Sequence, residues 1–220
     1  INHLWPSFLP GGYVGVDVFF VISGFLITKH LVSELNETGR LSFANFYARR
    51  ARRLLPAALL VAGIALLGSL ILIPHSEWSK IALQFFAASA YFLNWVLALK
   101  AVDYWSSLQS ATPFQHYWSL SVEEQFYLFW PLFLVLTFML FRAFKNRRTR
   151  SLAIAGMIAC TMIASFAFAI WATTTSKNAT YFNTFARIWE FEFGALLAIA
   201  ARKVSRTNTL SGVPRWQENT

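Results

Sequence analysis

The sequence predicts an all-α fold, a polytopic bundle of transmembrane helices, and three observations carry that expectation. Of the 220 residues, 56% are hydrophobic and 13% charged, roughly half the charge of a soluble domain. Several stretches of about 20 residues, the length that crosses a ~30 Å hydrocarbon core, hold little or no charge. The basic residues also cluster, with six, five and four of the 19 Lys+Arg falling in 29–53, 142–150 and 202–215.

The elements follow in order. Segments 54–73 and 152–172 contain no charged residue. Segment 12–28 carries only Asp17 and reaches across the layer once 29–32 are added. Segment 120–141 begins with Glu123 and Glu124, and 185–201 holds Arg187, Glu190 and Glu192 in its first half. Segment 81–99 is uncharged but contains Gln84 and Asn94 and is bracketed by Lys80 and Lys100. Retained basic loops orient a membrane protein, so the three basic segments are expected in the cytoplasm, with 74–78 and 173–184 outside. Three full crossings between the first two basic segments would put 142–150 outside. Segment 81–99 is therefore expected to be re-entrant, interfacial or otherwise not a clean crossing, with the polar link 101–116 at the surface beside it.

The net charge of +9 is the excess that cytoplasmic loops produce, so nucleic acid is not an expected partner; membrane lipids are. The single cysteine, Cys160, rules out a disulfide framework and a thiolate metal cluster. No metal site is expected, and a buried, inert thiol is. Residues 1–205 read as a membrane domain and 206–220 as a polar tail or linker. With Ile1 first and no signal peptide, the chain reads as part of a longer one, with five or six membrane segments and the end of a preceding helix.

Ionisable groups in membrane segments are expensive, and those that persist usually face a cavity or a partner. Asp17 lies early in its segment, where it serves either as an interfacial carboxylate near the helix start or as a functional group. His3 precedes a Pro/Gly-rich turn, 6–12, that would fold it back towards Asp17; a carboxylate-oriented imidazole is a standard general base. Arg49, Arg50, Arg52 and Arg53 form the densest cationic cluster, with Arg50 and Arg53 on one helical face and Arg49 and Arg52 on another. The cluster suits either a lipid-facing anchor or a phosphate clamp. Ser121 and Glu124 fit a capping box, and Tyr117, Trp118 and Tyr127 fit an interfacial belt. Glu123 and Glu124 are adjacent and point to different faces, so capping cannot explain both. Arg187 and Glu190, three apart, are expected to pair.

Four blocks, taken together, resemble a known family. They are the run Gly11-Gly12 through Gly15-Val16-Asp17 to Ser23-Gly24 and Thr28; Phe46-Tyr47 through Arg49, Arg50, Arg52 and Arg53 to Pro56-Ala57; His116 to Pro131; and Tyr181 to Ala198. In that order they resemble the acyltransferase-3 family, bacterial multi-span membrane enzymes that O-acylate cell-surface glycans, including O-antigen acetylases of lipopolysaccharide. The resemblance implies an acyl-CoA-dependent O-acyltransferase of the bacterial inner membrane, acetyl-CoA being the usual donor and no cofactor being bound permanently. It implies that His3 is the essential base, assisted by Asp17, and that the donor is held by Arg50 and Arg53, or in the offset register by Arg49 and Arg52. The acceptor is a hydroxyl of an extracytoplasmic glycan or lipid-linked glycan. Ser23, His116, Trp118, Ser119, Glu123, Glu124, Arg187 and Glu190 are the supporting or acceptor-side candidates. The family often carries a C-terminal esterase-like domain. A transporter or flippase using intramembrane carboxylates is the alternative the residues allow.

Overall fold

The computed structural model describes residues 14–102, 112–144 and 146–210. His3, the turn 6–12, most of the link 101–116 and residues 211–220 lie outside the described residues. Among the described residues eight α-helices succeed one another: α1 (Val14–Thr38), α2 (Phe43–Leu72), α3 (Trp78–Ser89), α4 (Leu93–Val102), α5 (Tyr117–Leu140), α6 (Arg147–Thr175), α7 (Lys177–Phe182) and α8 (Ile188–Leu210). Among the described residues there is no strand, so the all-α bundle expected from composition is the fold.

Among the described residues four stretches are long and apolar enough to cross a membrane: Val14–Leu35, Phe43–Leu72, Tyr117–Ala143 and Arg148–Thr175. They account for four of the five or six membrane segments expected. Helix α8 falls short because Glu190, Glu192 and the polar residues after Ala201 dilute its hydropathy. It nonetheless runs parallel to α1, with Arg187 beside Asp17 at one end and Arg202 beside Val32 at the other.

The stretch 81–99 does not form one crossing helix. Helices α3 and α4 have 12 and 10 residues, roughly 18 and 15 Å at 1.5 Å per residue, each too short for a ~30 Å core. The break is a Schellman-type stop. Tyr91 takes a positive φ of 57°, its amide donates to the Ala88 carbonyl, and the Phe92 amide donates to that of Ala87. Backbone that leaves the helical ladder at membrane depth must be satisfied by protein, and a connected amide network does this. Gln125 of α5 donates to the Tyr91 carbonyl and to Asn94 Oδ1, both at 2.8 Å. Asn94 in turn donates to the Phe182 carbonyl and Thr184 Oγ1, while Trp95 and Thr184 both donate to Gln125 Oε1. The two amides that make 81–99 a poor lipid-facing helix are thus buried, Asn94 in this network and Gln84 against Thr112.

The core lies between α1, α5 and α8. Phe20, Phe191, Phe126 and Trp130 form a continuous stack, with successive centroids 4.6, 4.3 and 4.8 Å apart. Helix α2 runs antiparallel to α5 and is tied to it by two phenols, Tyr117 donating to the Ala58 carbonyl and Tyr47 to that of Leu128. Leu128 sits in the turn before Pro131, where the missing N–H loosens the helical ladder.

Helices α1 and α8 meet at their backbones. A Cβ built on Gly24 would lie 2.0 Å from the Phe191 carbonyl oxygen, and one on Gly194 would lie 1.9 Å from that of Val21. Only residues without a side chain permit this approach, the close-packing device of membrane helix pairs. Helices α2 and α6, by contrast, present Leu60, Ile64, Ile71, Ile163 and Trp171 outwards. Cys160 belongs to this outer face and is exposed, not buried as expected, because α6 turns most of its surface away from the bundle.

Candidate active site

Two arginine-centred clusters lie inside the bundle. The first joins the start of α1 to the approach of α8. Arg187 Nη1 bonds Asp17 Oδ1 and Glu190 Oε1, each at 2.7 Å, and Arg187 Nε donates to the Tyr181 carbonyl at 3.2 Å. The guanidinium stacks over the Tyr181 ring with its centroid at 4.8 Å and lies 5.8 Å from that of Trp118. Burial pushes the Tyr181 phenol above its usual range. Asn183 caps the short turn Thr184–Ala186 that delivers Arg187. Ser165 of α6 clamps the same corner, donating to the Phe185 carbonyl and accepting from the Trp189 amide.

The second cluster lies six residues further along α1, roughly 9 Å deeper. Ser23 donates to Glu123 Oε1 at 2.7 Å, and Tyr127 donates to the same oxygen at 2.5 Å. Arg50 enters from α2, its guanidinium 3.3 Å from the Tyr127 ring centroid and its Nη2 3.0 Å from Glu124 Oε1. Arg50 Nε is buried and has no hydrogen-bond partner among the described residues.

The structure thus gathers Asp17, Trp118, Arg187 and Glu190 in one cluster and Ser23, Arg50, Glu123 and Glu124 in the other. The expected Arg187–Glu190 pair forms, and the two adjacent glutamates do serve different faces, Glu123 towards α1 and Glu124 towards α2. Two local expectations are corrected. Ser121 and Glu124 make no capping box, because α5 already begins at Tyr117; Ser121 donates back to the Tyr117 carbonyl and Glu124 holds Arg50. Tyr117, Trp118 and Tyr127 are buried core residues, not a belt. Asp17 lies in the first turn of α1, as expected, partly exposed and paired with Arg187.

The remaining candidates lie at the periphery. Arg49 reaches His30 and Glu34; Arg52 bonds the Ala48 carbonyl; Arg53 is exposed. His116 is exposed at the N-cap of α5, its ring tilted against that of Tyr117, and its carbonyl accepts a long 3.4 Å bond from Ser119. Glu192, counted in the sequence only as a charge, is buried on α8 and accepts from Thr161 at 2.7 Å, with its second oxygen unpartnered among the described residues. Its place in an otherwise apolar run was the available signal.

Buried, paired arginines and carboxylates inside a multi-helix bundle define a membrane protein with a polar interior site. The particular family follows from comparison: the acyltransferase domain model matches residues 1–213, and the chain belongs to that family. It is 36% identical over 200 residues to proteins named O-acetyltransferase OatA from Staphylococcus aureus strains NCTC 8325 / PS 47, COL and MRSA252. Each match covers 90% of this chain and 32% of the relative, so the chain spans about a third of the relatives' length. No solved structure matches.

Proposed function

We propose that this domain transfers an acyl group, acetyl in the first instance, from cytoplasmic acyl-CoA to a hydroxyl of a glycan or lipid-linked glycan on the opposite side of a bacterial inner membrane. The observation that carries the reading is Arg50. A guanidinium inside the bundle, held by one carboxylate and one aromatic face and keeping a buried N–H without a partner, suits a phosphate-bearing or thioester-bearing ligand. Membership of an acyltransferase family and 36% identity to proteins named O-acetyltransferase support the same reaction class. Arg53, with Arg49 and Arg52, is assigned to the mouth of the donor path, where exposed cations attract the donor's phosphates.

In this reading His3 takes the proton of the acceptor hydroxyl as its oxygen attacks the thioester carbonyl carbon. The carbon–sulfur bond then breaks and the coenzyme leaves as thiolate, to be protonated. General-base assistance of this kind contributes roughly 10²–10⁴-fold. Asp17, its carboxylate fixed by Arg187, stands at the end of α1 that the chain enters from His3 and supplies orientation. Replacing His3 by Ala in the full-length protein and following acetyl transfer to the cell-surface glycan tests it. Transfer is expected to be abolished, and undiminished transfer overturns the assignment.

A further inference from the structure

Below the glycine contact a groove opens between α1 and α8. At Gly24 and Gly194 the backbones touch; two turns further on, they are joined across a gap by Arg202, whose Nη1 donates to the Val32 carbonyl at 2.7 Å. Between these two points lies a cavity of about 260 Å³, at the end of the bundle that carries the basic segments. It plays no part in either arginine cluster described above.

Its lining has a particular composition. Lys29 and Arg202 contribute two cations and Phe25 and Ile199 an apolar wall; Thr28 and Ser33 also line it, Ser33 donating to Glu37 of the next turn, and none of its described lining residues is acidic. The Thr28 hydroxyl is fixed in place by accepting from Trp130 Nε1 at 2.8 Å, and the bond to Val32 fixes the Arg202 guanidinium at the rim. Lys29 is exposed with its amine 6.0 Å from the Phe25 ring centroid, the posture of an ammonium that runs its stem along an apolar wall to reach the interface. Away from the groove towards the bundle centre, the outer surfaces of both helices are apolar, with Ile22 and Leu26 exposed on α1 and Phe193 and Leu197 on α8.

Two cations at the interface, followed by an apolar strip at acyl-chain depth, match an amphiphile with an anionic head. Basic pockets between transmembrane helices on the cytoplasmic side bind such headgroups. We propose that the groove between α1 and α8 binds one anionic phospholipid, its phosphate between Lys29 and Arg202 and its chains along Ile22, Leu26, Phe193 and Leu197. The lipid fills this groove, and it thereby fixes the helix pair that carries Asp17, Ser23 and Glu190.

The test is lipid retention by the full-length protein. After purification in mild detergent and delipidation, dioleoylphosphatidylglycerol or dioleoylphosphatidylcholine is added and bound lipid is counted by native mass spectrometry. One phosphatidylglycerol per protein is expected, with little phosphatidylcholine. Lys29→Gln should weaken retention about five-fold, the effect of one basic residue near an anionic surface, and Lys29→Arg should restore it. Because Arg202 also ties the helices, Arg202→Lys is the matched variant there and should retain lipid, while Arg202→Gln should not. Equal retention of both lipids, or unchanged retention in Lys29→Gln, overturns the proposal. Displacement of phosphatidylglycerol by added coenzyme A, with coenzyme A binding lost in Lys29→Gln, also overturns it, because the cations would then serve a soluble phosphate donor.

Discussion

The two half-buried arginines inside the bundle differ in how fully they are satisfied. Arg187 has two carboxylates, a backbone carbonyl and an aromatic face. Arg50 has one carboxylate and one aromatic face, with Nε left over. A charge sequestered from water must be paired and hydrogen-bonded to persist. The more fully bonded arginine therefore acts as a joint, drawing together α1, the α7 corner and α8. In the function proposed above, the less fully bonded one keeps a donor for the acyl donor.

The sharpest way to break this contrast is to remove the joint. Arg187→Ala strands Asp17 and the fully buried Glu190, and breaking a buried pair in this way costs about 3–5 kcal/mol. Folded yield and thermal unfolding in detergent should show a loss that approaches failure to fold; a variant of near-native stability would mean that the cluster is not a joint. Next comes the glycine contact beneath it. Gly24→Ala or Gly194→Ala should destabilise by about 1–3 kcal/mol, as overpacking does. Gly63→Ala, at a site on α2 with nothing within 4 Å of the added carbon, should be neutral or stabilising by roughly 0.5–1 kcal/mol. Equal effects at the two kinds of site would remove the distinction between the packed and the lipid-facing helices.

Arg50→Lys tests the other half. The charge opposite Glu124 stays, so stability should change little, while the planar fork and its spare donor are lost. The acyl-donor concentration needed for half-maximal transfer in the full-length enzyme should rise about tenfold or more. An unchanged requirement together with lowered stability would make Arg50 a second joint. The smallest effect belongs to Ser23→Ala, which deletes one of the two hydroxyl donors to Glu123 while Tyr127 keeps the other. About 0.5–1.5 kcal/mol is expected from chemical unfolding, with folding intact.

Much of the fold was legible because lipid imposes strict rules on a sequence. The uncharged runs gave α2 and α6 directly, and the basic segments made 81–99 an improbable crossing before the stop at Tyr91 was known. Within the candidate sites, only the Arg187–Glu190 pair, three residues apart, was accessible to local reasoning. The Asp17–Arg187, Ser23–Glu123 and Arg50–Glu124 contacts join residues 170, 100 and 74 positions apart, and helix periodicity carries no information about which faces meet across such distances. The capping-box reading of Ser121 and Glu124 failed for a related reason. A local motif fits wherever its spacing occurs, and here the helix had already started four residues earlier. Gly24 and Gly194 were visible as glycines, but their meaning depends on each lying against the other helix's backbone.

That direct touch of α1 and α8 has a mechanical consequence. At Gly24 and Gly194 each helix lies directly on the other's backbone, with no side chain between them to change rotamer, so the pair is pinned there and behaves as a single strut. Any widening that admits a long, bulky reactant must be accommodated elsewhere, and the seam between α2 and α5 is the suitable place. There the ties are the hydrogen bonds of two phenols and one guanidinium, which can exchange partners without disturbing the strut.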